Sequence, residues 1–217
     1  MNKMRGRGGS ALRRIVPATL VSGVAVAALA MTTLSGSLAG FAASITNSNN
    51  TAASGVLVMQ ETSGSGTGTV TCTSTDGGTV STNSSTCSTI NKFGGSTTMV
   101  PGAPVTTTIN IKNVGTVPAN TFTLTPGATC TQSNNGALNG SATDFCAKLG
   151  VVITSGATTV FSGTAATLAG SAPISLPVPV APGATVPFTF VTTLSSTAGN
   201  TYQGLAASLP MTWTFNS

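Results

Sequence analysis

The sequence predicts an all-β fold, an antiparallel β-sandwich, from three observations. Apolar and polar residues alternate over Val105 to Lys112 and again over Gly204 to Asn216, as expected for strands with one buried face. Turn-forming pairs such as Asp76-Gly77 and Ser155-Gly156 separate the β-rich stretches. Only Thr143 to Leu149 favours a helical turn. Short strands joined by turns, with almost no helix, are typical of antiparallel sandwiches.

The first half of the predicted domain contains four strand candidates. Asp76-Gly77 is a tight-turn pair between β-branched stretches, so Thr69 to Thr75 and Thr79-Val80 are predicted to form a hairpin. The Asn83 to Asn91 stretch is predicted to be loop. The strand candidates are Val56 to Gln60, Thr69 to Thr75, Val105 to Lys112, and Thr121 to Thr125 with Phe122 and Leu124 inward.

The second half is predicted from the same two signals, alternation and turns. Four prolines between Ser171 and Gly183 make that stretch an extended edge or a loop, because proline cannot donate to a strand ladder. Pro210 suggests a bulge or an edge position within the last strand. Trp213 lies on the inward parity of that strand, which favours core packing over stacking on a sugar. The predicted strands are Val151 to Thr154, Thr158 to Ser162, Val186 to Leu194, and Gly204 to Asn216.

A basic and then apolar leader precedes the β-rich part. Five of the eight basic residues lie before residue 15, and residues 15–34 carry no charge. This is the pattern of a secretory signal peptide. The small residues Gly40 and Ala42 predict cleavage between Ala42 and Ala43, with a cut after Ala39 as the alternative. A retained membrane anchor is the competing interpretation, because the apolar run is nearly long enough to span a bilayer.

The export route is predicted to be general secretion. Arg13-Arg14 would also fit a twin-arginine signal, although the residues that follow match that pattern loosely. On this interpretation the protein meets a membrane only through the signal peptide, before cleavage. The expected organisation is a signal peptide over residues 1–42, a flexible arm over 43–54 and a single β-sandwich domain over 55–217.

The predicted N-terminal arm is a candidate for assembly. It begins with Ala43, Ser44, Ile45, Thr46 and Asn47, and the whole arm is uncharged and free of proline. Such an arm can add as a strand to the open sheet edge of a neighbour. The alternative is a frayed terminus, which is the common fate of N-terminal arms.

The charge of the chain argues against nucleic acid as a partner. The net charge of +5 comes from the leader, because beyond it three lysines stand against three acids and cancel. No basic patch remains to neutralise a phosphate backbone. A net charge near zero favours self-association, which suits a surface or matrix protein, although a secreted monomer can share this composition. The six residues are Lys92, Lys112, Lys148, Glu61, Asp76 and Asp144.

The cysteines of an exported chain are expected to form disulfides. Four cysteines allow three pairings, of which the local one, Cys72–Cys87 with Cys130–Cys146, is preferred. Each bond would close a Ser/Thr/Gly/Asn-rich loop that has little to build a core from, and would contribute about 3 kcal/mol. Zinc is the competing interpretation, but the chain contains no histidine and no Cys-x-x-Cys pair. No metal or cofactor is expected.

Three stretches resemble the TasA/camelysin family. Leu38-Ala-Gly-Phe-Ala-Ala-Ser-Ile-Thr-Asn-Ser-Asn-Asn-Thr with Ala53-Ser-Gly-Val-Leu resembles its signal-to-mature junction. Met99-Val-Pro-Gly followed by Thr106-Thr-Thr-Ile-Asn-Ile-Lys-Asn-Val-Gly resembles its first central strand. Ala198-Gly-Asn-Thr-Tyr-Gln-Gly-Leu with Thr212-Trp-Thr-Phe resembles the C-terminal pattern of actinobacterial members. The likeness spans the whole chain.

The resemblance implies an exported protein of Gram-positive bacteria, processed by a SipW-type signal peptidase. It implies a jelly-roll-like sandwich and, for the fibre-forming members, a biofilm-matrix subunit joined by donor-strand exchange through the mature N-terminus. Camelysin members have been described as metallopeptidases. The present sequence lacks the acidic, lysine-rich composition of the bacillar members.

Catalysis is not expected. Without histidine, neither a Ser-His-Asp nor a Cys-His site can form. The three acids are isolated in sequence, and the three lysines are predicted to lie on solvated faces. No catalytic, cofactor-binding or metal-ligating residue is therefore predicted.

Three functions compete. The first is a secreted subunit of a homopolymeric cell-surface or biofilm-matrix fibre, in contact with cell-wall or matrix components. The second is a monomeric adhesin or glycan-binding module, and the weakest is a camelysin-type peptidase.

Overall fold

The computed structural model describes residues 44–45, 51–64 and 68–217. The predicted signal peptide, its cleavage site between Ala42 and Ala43, and Thr46 and Asn47 of the predicted arm lie outside the described residues. Ser44 and Ile45 are both exposed. One compact unit extends from Ala52 to Ser217, and all the elements below belong to it.

Antiparallel strands dominate this unit, and its helices are single turns, so the predicted all-β class is confirmed. The helical turns are α1 (Phe145–Lys148), α2 (Ala165–Leu168) and the 3-10 turn η1 (Asn200–Tyr202). The strands are β1 (Met59–Ser63), β2 (Val70–Thr73), β3 (Pro104–Asn113), β4 (Thr121–Pro126), β5 (Thr131–Asn134), β6 (Leu149–Ser155), β7 (Thr158–Thr164), β8 (Ile174–Ser175), β9 (Thr185–Leu194), β10 (Leu205–Ser208) and β11 (Met211–Asn216).

The strands form three sheets. The largest has six strands in the order β2-β1-β3-β9-β6-β7, the second has the order β11-β4-β8, and β10 pairs with β5 in a two-stranded sheet. Every pairing between these strands is antiparallel. In this topology β11 and β8 are the outer strands of the three-stranded sheet.

The core lies between the six-stranded and three-stranded sheets. Phe188 of β9 contacts Phe122 of β4 with ring centroids 5.8 Å apart, and it contacts Trp213 of β11 at 4.8 Å. Alternation predicts nine inward side chains on β3, β4 and β9, because a period of two places them on one face. Val105, Thr107 and Val186 are half-buried, and the other six are fully buried. The fully buried members are Ile109, Ile111, Phe122, Leu124, Phe188 and Phe190.

Strand β1 corrects the predicted position of the first strand. It begins at Met59 rather than Val56 and continues to Ser63. The residues before it are held by the turn after β3: Thr116 N donates to Val56 O at 2.7 Å, and Val114 N donates to Val58 O at 2.9 Å. The residues before Met59 therefore bond to a turn and not to a neighbouring strand, so this part of the apolar run does not belong to β1.

The predicted hairpin has the wrong partner. Its turn is present, since Thr73 N donates to Asp76 Oδ2 at 2.6 Å and Gly77 has a φ of +73°. However, β2 pairs back with β1. Thr79-Val80 forms no strand, because the chain there coils into a local turn in which Asn83 N donates to Thr79 O at 2.9 Å.

The last alternating stretch is two strands in two sheets. Strand β10 pairs with β5, a strand that was not predicted and that lies within the second disulfide loop, whereas β11 pairs with β4. The exposed Pro210 stands between them, and the chain changes sheets there. Inward parity continues across the break at Leu209, which is buried. The alternating pattern therefore continues through Pro210 although the chain pairs with β5 before it and with β4 after it.

Other elements follow the predictions more closely. Helical turn α1 lies within the predicted stretch, and β6 and β7 flank the Ser155-Gly156 turn. The proline-rich stretch contributes only the two-residue edge strand β8, as its prolines predicted. Helical turn α2 was not predicted; its N-terminus is a capping box of Thr164 and Thr167, a local polar signal without helical periodicity.

Both disulfides have the preferred local pairing, Cys72–Cys87 and Cys130–Cys146. The first joins β2 to the following loop, and the second joins the residue before β5 to α1. Two disulfides indicate an oxidising environment, extracellular or periplasmic. A search of the described residues finds no helix with the length and apolarity needed to cross a membrane.

Candidate functional site: an open groove beside β11

Strand β11 has one bonded edge and one open edge. Its pairing with β4 uses the carbonyls of Pro210 and Asn216, which accept from Gly127 N at 2.8 Å and Asn120 N at 2.7 Å. Because backbone groups alternate sides along a strand, those of Met211, Trp213 and Phe215 point away from β4. Within the described ranges, no strand pairs with that second edge.

A groove of about 800 Å³ runs along the open edge of β11. Its apolar lining includes Leu57, Met59, Ile90, Met211, Trp213 and Phe215. Strand β1 and the loop that follows β2 form the wall opposite β11. Backbone groups of an edge strand therefore lie beside a groove lined by both apolar and polar side chains, an arrangement that can accept an added strand.

The opposite wall is tied down at several points. Asn83 donates from Nδ2 to Leu57 O at 2.6 Å, and Ser74 Oγ accepts from Met59 N at 3.0 Å while its hydroxyl donates to Asn83 Oδ1. The Cys72–Cys87 disulfide joins the same loop to β2. Hydrogen bonds and a disulfide therefore hold the loop part of this wall in place beside β1.

Glu61, Lys92 and Trp213 form a polar cluster in the groove. Lys92 Nζ lies 2.6 Å from Glu61 Oε1, and Trp213 Nε1 donates to the same oxygen at 3.0 Å. The Lys92 ammonium is also 5.8 Å from the centroid of the Trp213 ring, within range of a cation–π interaction. The side chains of Lys92 and Glu61 are only 11% and 10% exposed.

This cluster corrects two predictions. Lys92 does not lie on a solvated face, and Glu61 is not isolated. A buried carboxylate needs a cation and hydrogen bonds, and a packed indole needs an acceptor for its N–H, so the three side chains satisfy one another. The signal available in the sequence was an acid directly after an apolar run, but its partner is 31 residues further along the chain and its indole donor is 152 residues away.

Of the other predicted residues, Cys72 and Cys87 line the groove as part of its wall, whereas Asp76 and Asp144 do not line it. Asp76 caps a turn, and Asp144 accepts a hydrogen bond from the Tyr202 hydroxyl at 2.7 Å. The four cysteines are all in disulfides. Across the described residues, no group of three or more His, Cys, Asp or Glu side chains is placed to hold a metal ion.

A smaller cavity of about 280 Å³ lies beside the residues that follow Lys92 in the same loop. Phe93, Met99, Phe145, Leu194, Tyr202 and Leu205 are among its lining residues. Tyr202 stands at this cavity, and its hydrogen bond to Asp144 raises the pKa of the phenol above the ordinary value of 10.0, because the bond favours the protonated form.

The Tyr202 phenol should titrate above its ordinary range. It is the one tyrosine in the chain, so phenolate absorbance near 295 nm reports it alone. Asp144→Asn should lower the midpoint, while Asp76→Asn, remote from Tyr202, should leave it unchanged. Because the folded pKa is raised, the stabilisation is complete below pH 10.0 and is lost as pH rises through the folded value. An identical midpoint in Asp144→Asn would contradict the assignment.

The fold and the groove define a class of protein: a disulfide-bonded antiparallel β-protein with a groove of mixed polarity beside a strand edge that no described strand pairs with. Comparison with known proteins adds no identity, since no protein-family model matches the chain and a search of curated proteins finds no match.

Proposed function

We propose that the protein is an exported, TasA/camelysin-like subunit of a homopolymeric fibre at the cell surface or in the biofilm matrix. The observation that carries the proposal is the groove beside β11, with backbone groups of Met211, Trp213 and Phe215 directed along its open side. In this proposal the two facing sheets are a jelly-roll-like sandwich with one strand position open. A strand from a neighbouring subunit occupies it and bonds to the edge of β11.

The donor in this proposal is the N-terminal arm, released when a signal peptide is cleaved between Ala42 and Ala43. The arm, Ala43 to Ser54, has twelve residues and would span about 40 Å when extended. Strand β11 has six residues, or about 20 Å. The arm is therefore long enough to cover the open edge with a linker to spare. The balanced charge of the mature chain places no long-range repulsion between subunits.

Deleting the arm should abolish filaments and leave a folded protein. We expect residues 43–217 to form filaments at neutral pH in electron micrographs and residues 55–217 to form none, with the same far-ultraviolet circular dichroism. A matched control replaces Ala43 to Ser54 with a glycine-serine segment of equal length, which keeps the linker but removes Ile45; it should also fail to assemble. Filaments from the deleted chain equal to those of the full mature chain would exclude the arm as donor.

A second candidate function is glycan binding by a monomer, favoured by the position of Trp213 and Lys92 in an open groove. The same micrographs separate the two candidates, because this function requires no filaments. Quenching of the fluorescence of Trp213, the one tryptophan in the chain, by cell-wall polysaccharide fragments would then support it.

A further inference from the structure

The Glu61–Lys92 pair has hydrogen-bonding capacity that the described residues do not use. Glu61 Oε1 forms the ion pair with Lys92 Nζ and accepts the hydrogen bond from Trp213 Nε1. Within the described part of the chain, no hydrogen bond or ion pair involves Glu61 Oε2. The Lys92 ammonium has three protons, and its one polar contact among those residues is with Glu61. Both side chains face the groove, and Glu61 Oε2 is not among the fully buried unpartnered atoms of the described residues, so it can be reached from the groove. A ligand in the groove could supply the missing partners.

The chemistry of this pair matches a primary carboxamide. An amide side chain presents one carbonyl acceptor and an NH2 group with two donors. Its carbonyl can accept from Lys92 while its NH2 donates to the free oxygen of Glu61. A ligand carboxylate would be repelled by Glu61, and a ligand ammonium would be repelled by Lys92. A hydroxyl can also donate to Glu61 and accept from Lys92, but it must do both through one oxygen, whereas a carboxamide uses two separate atoms. The pair is neutral overall, so it best accommodates a neutral ligand that both donates and accepts.

The arm of a second copy carries this chemistry. It contains Asn47, Asn49 and Asn50 and no charged residue. Side chains two apart share a face of a strand, so an arm that places Ile45 against the apolar side chains of the groove also directs Asn47 and Asn49 inward and Asn50 outward. Asn47 is the inward asparagine next to the apolar anchor.

We infer that Glu61 and Lys92 form a carboxamide-recognition site, and that Asn47 of a neighbouring subunit's arm is its ligand; this inference rests on the proposed function. The contact sets the register of the added strand. Together with Ile45 it discriminates between registers: a slip of two residues in one direction would place Ile45 at the charged pair, and a slip in the other direction would keep an asparagine there but move Ile45 along the groove.

Peptide binding tests the inference without requiring filaments. The probe is a fluorescein-labelled peptide with the sequence of Ala43 to Ser54, held at nanomolar concentration. The full mature chain, residues 43–217, is added in steps, and the fluorescence anisotropy of the peptide is measured. The Asn47→Ala peptide lacks the hydrogen bonds to the two charged groups in the groove. Its binding affinity should therefore be about ten- to a hundredfold lower than that of the unaltered peptide. The Asn50→Ala peptide is the matched control and should bind as the unaltered peptide does.

A double-mutant cycle locates the contact. In a mature chain carrying Lys92→Met, the donor to the Asn47 carbonyl is absent while Glu61 remains, so the Asn47→Ala change should weaken peptide binding by a smaller factor than it does in the parent chain. Near-ultraviolet circular dichroism of Trp213 reports whether that variant retains its packing, and the peptide variants test the inference independently if it does not.

The relative affinities of these peptides support or overturn the inference. Equal binding of the Asn47→Ala and unaltered peptides would overturn the inference and leave the arm as the donor. A larger loss for Asn49→Ala than for Asn47→Ala would also overturn the assignment of Asn47. No binding of the unaltered peptide would overturn both the inference and the proposed function.

Discussion

Trp213→Ala is expected to destabilise the protein by about 3–5 kcal/mol, the range for removing a large aromatic side chain from a core. The indole packs on three phenylalanines, with ring centroids 5.7 Å from Phe122, 4.8 Å from Phe188 and 6.3 Å from Phe190. Its loss would leave a cavity between the two sheets and remove one hydrogen bond from the buried Glu61 carboxylate. Domains have only about 5–15 kcal/mol of stability, so the variant should unfold readily or fail to accumulate.

Chemical denaturation followed by circular dichroism measures this effect, and two variants calibrate it. Trp213→Phe keeps a ring in the core but removes the indole N–H, so it should cost less, about 1–3 kcal/mol. Thr212→Ala changes an exposed neighbour on β11 and should stay within about 0.5 kcal/mol of the parent protein. If Trp213→Ala unfolds at the same denaturant concentration as the parent, the indole contributes no packing and stacking on a glycan becomes the better explanation for it.

Removing the second disulfide with Cys130→Ser and Cys146→Ser should cost about 3 kcal/mol, since the bond closes a loop with a sequence separation of 16. Hydrogen bonds also hold this loop to residues 201–204, among them Gly140 N to Gln203 O at 2.7 Å and Ala142 N to Thr201 O at 2.9 Å. Strand β5 has four residues and pairs with β10, and Gln132 bridges the loop by donating to Ala142 O at 2.6 Å and accepting from Phe145 N at 2.8 Å. Without the bond, the buried Phe145 and the β5–β10 sheet are the parts expected to loosen first.

The first disulfide is a matched comparison, because its sequence separation is 15. Chain entropy alone therefore predicts nearly the same loss for Cys72→Ser with Cys87→Ser. Thermal unfolding of both double variants, alongside the reduced parent protein, measures the difference between them. A parent protein that melts at the same temperature with and without reductant would contradict the predicted contribution of both bonds.

The local features of the fold could be predicted from the sequence. Alternation identified Ile109, Ile111, Phe122, Leu124 and Phe188 as inward, and all five are buried. The local pairing of the cysteines followed from loops too polar to form a core. These predictions succeed because strand periodicity and short-loop closure depend on residues close together in the chain.

The partners of strands were harder to predict than the strands themselves. The Asp76-Gly77 turn was correct, yet β2 pairs with the preceding strand β1. The continuous alternation before and after Pro210 gave no sign that β10 and β11 belong to different sheets. An alternating pattern shows which face of its strand a side chain occupies. It does not show which other strand lies beside that strand.

The candidate site depends on tertiary structure almost entirely. The sequence by itself determined the β class, the inward parity of Trp213, the balanced charge beyond the leader and an uncharged, asparagine-containing arm. Only the tertiary structure brought Glu61 and Trp213 together across 152 residues, buried Lys92 beside them and left one edge of β11 open to a groove. The physical reason is that burial of a charge and exposure of a sheet edge are properties of packed sheets, which no local pattern of residues encodes.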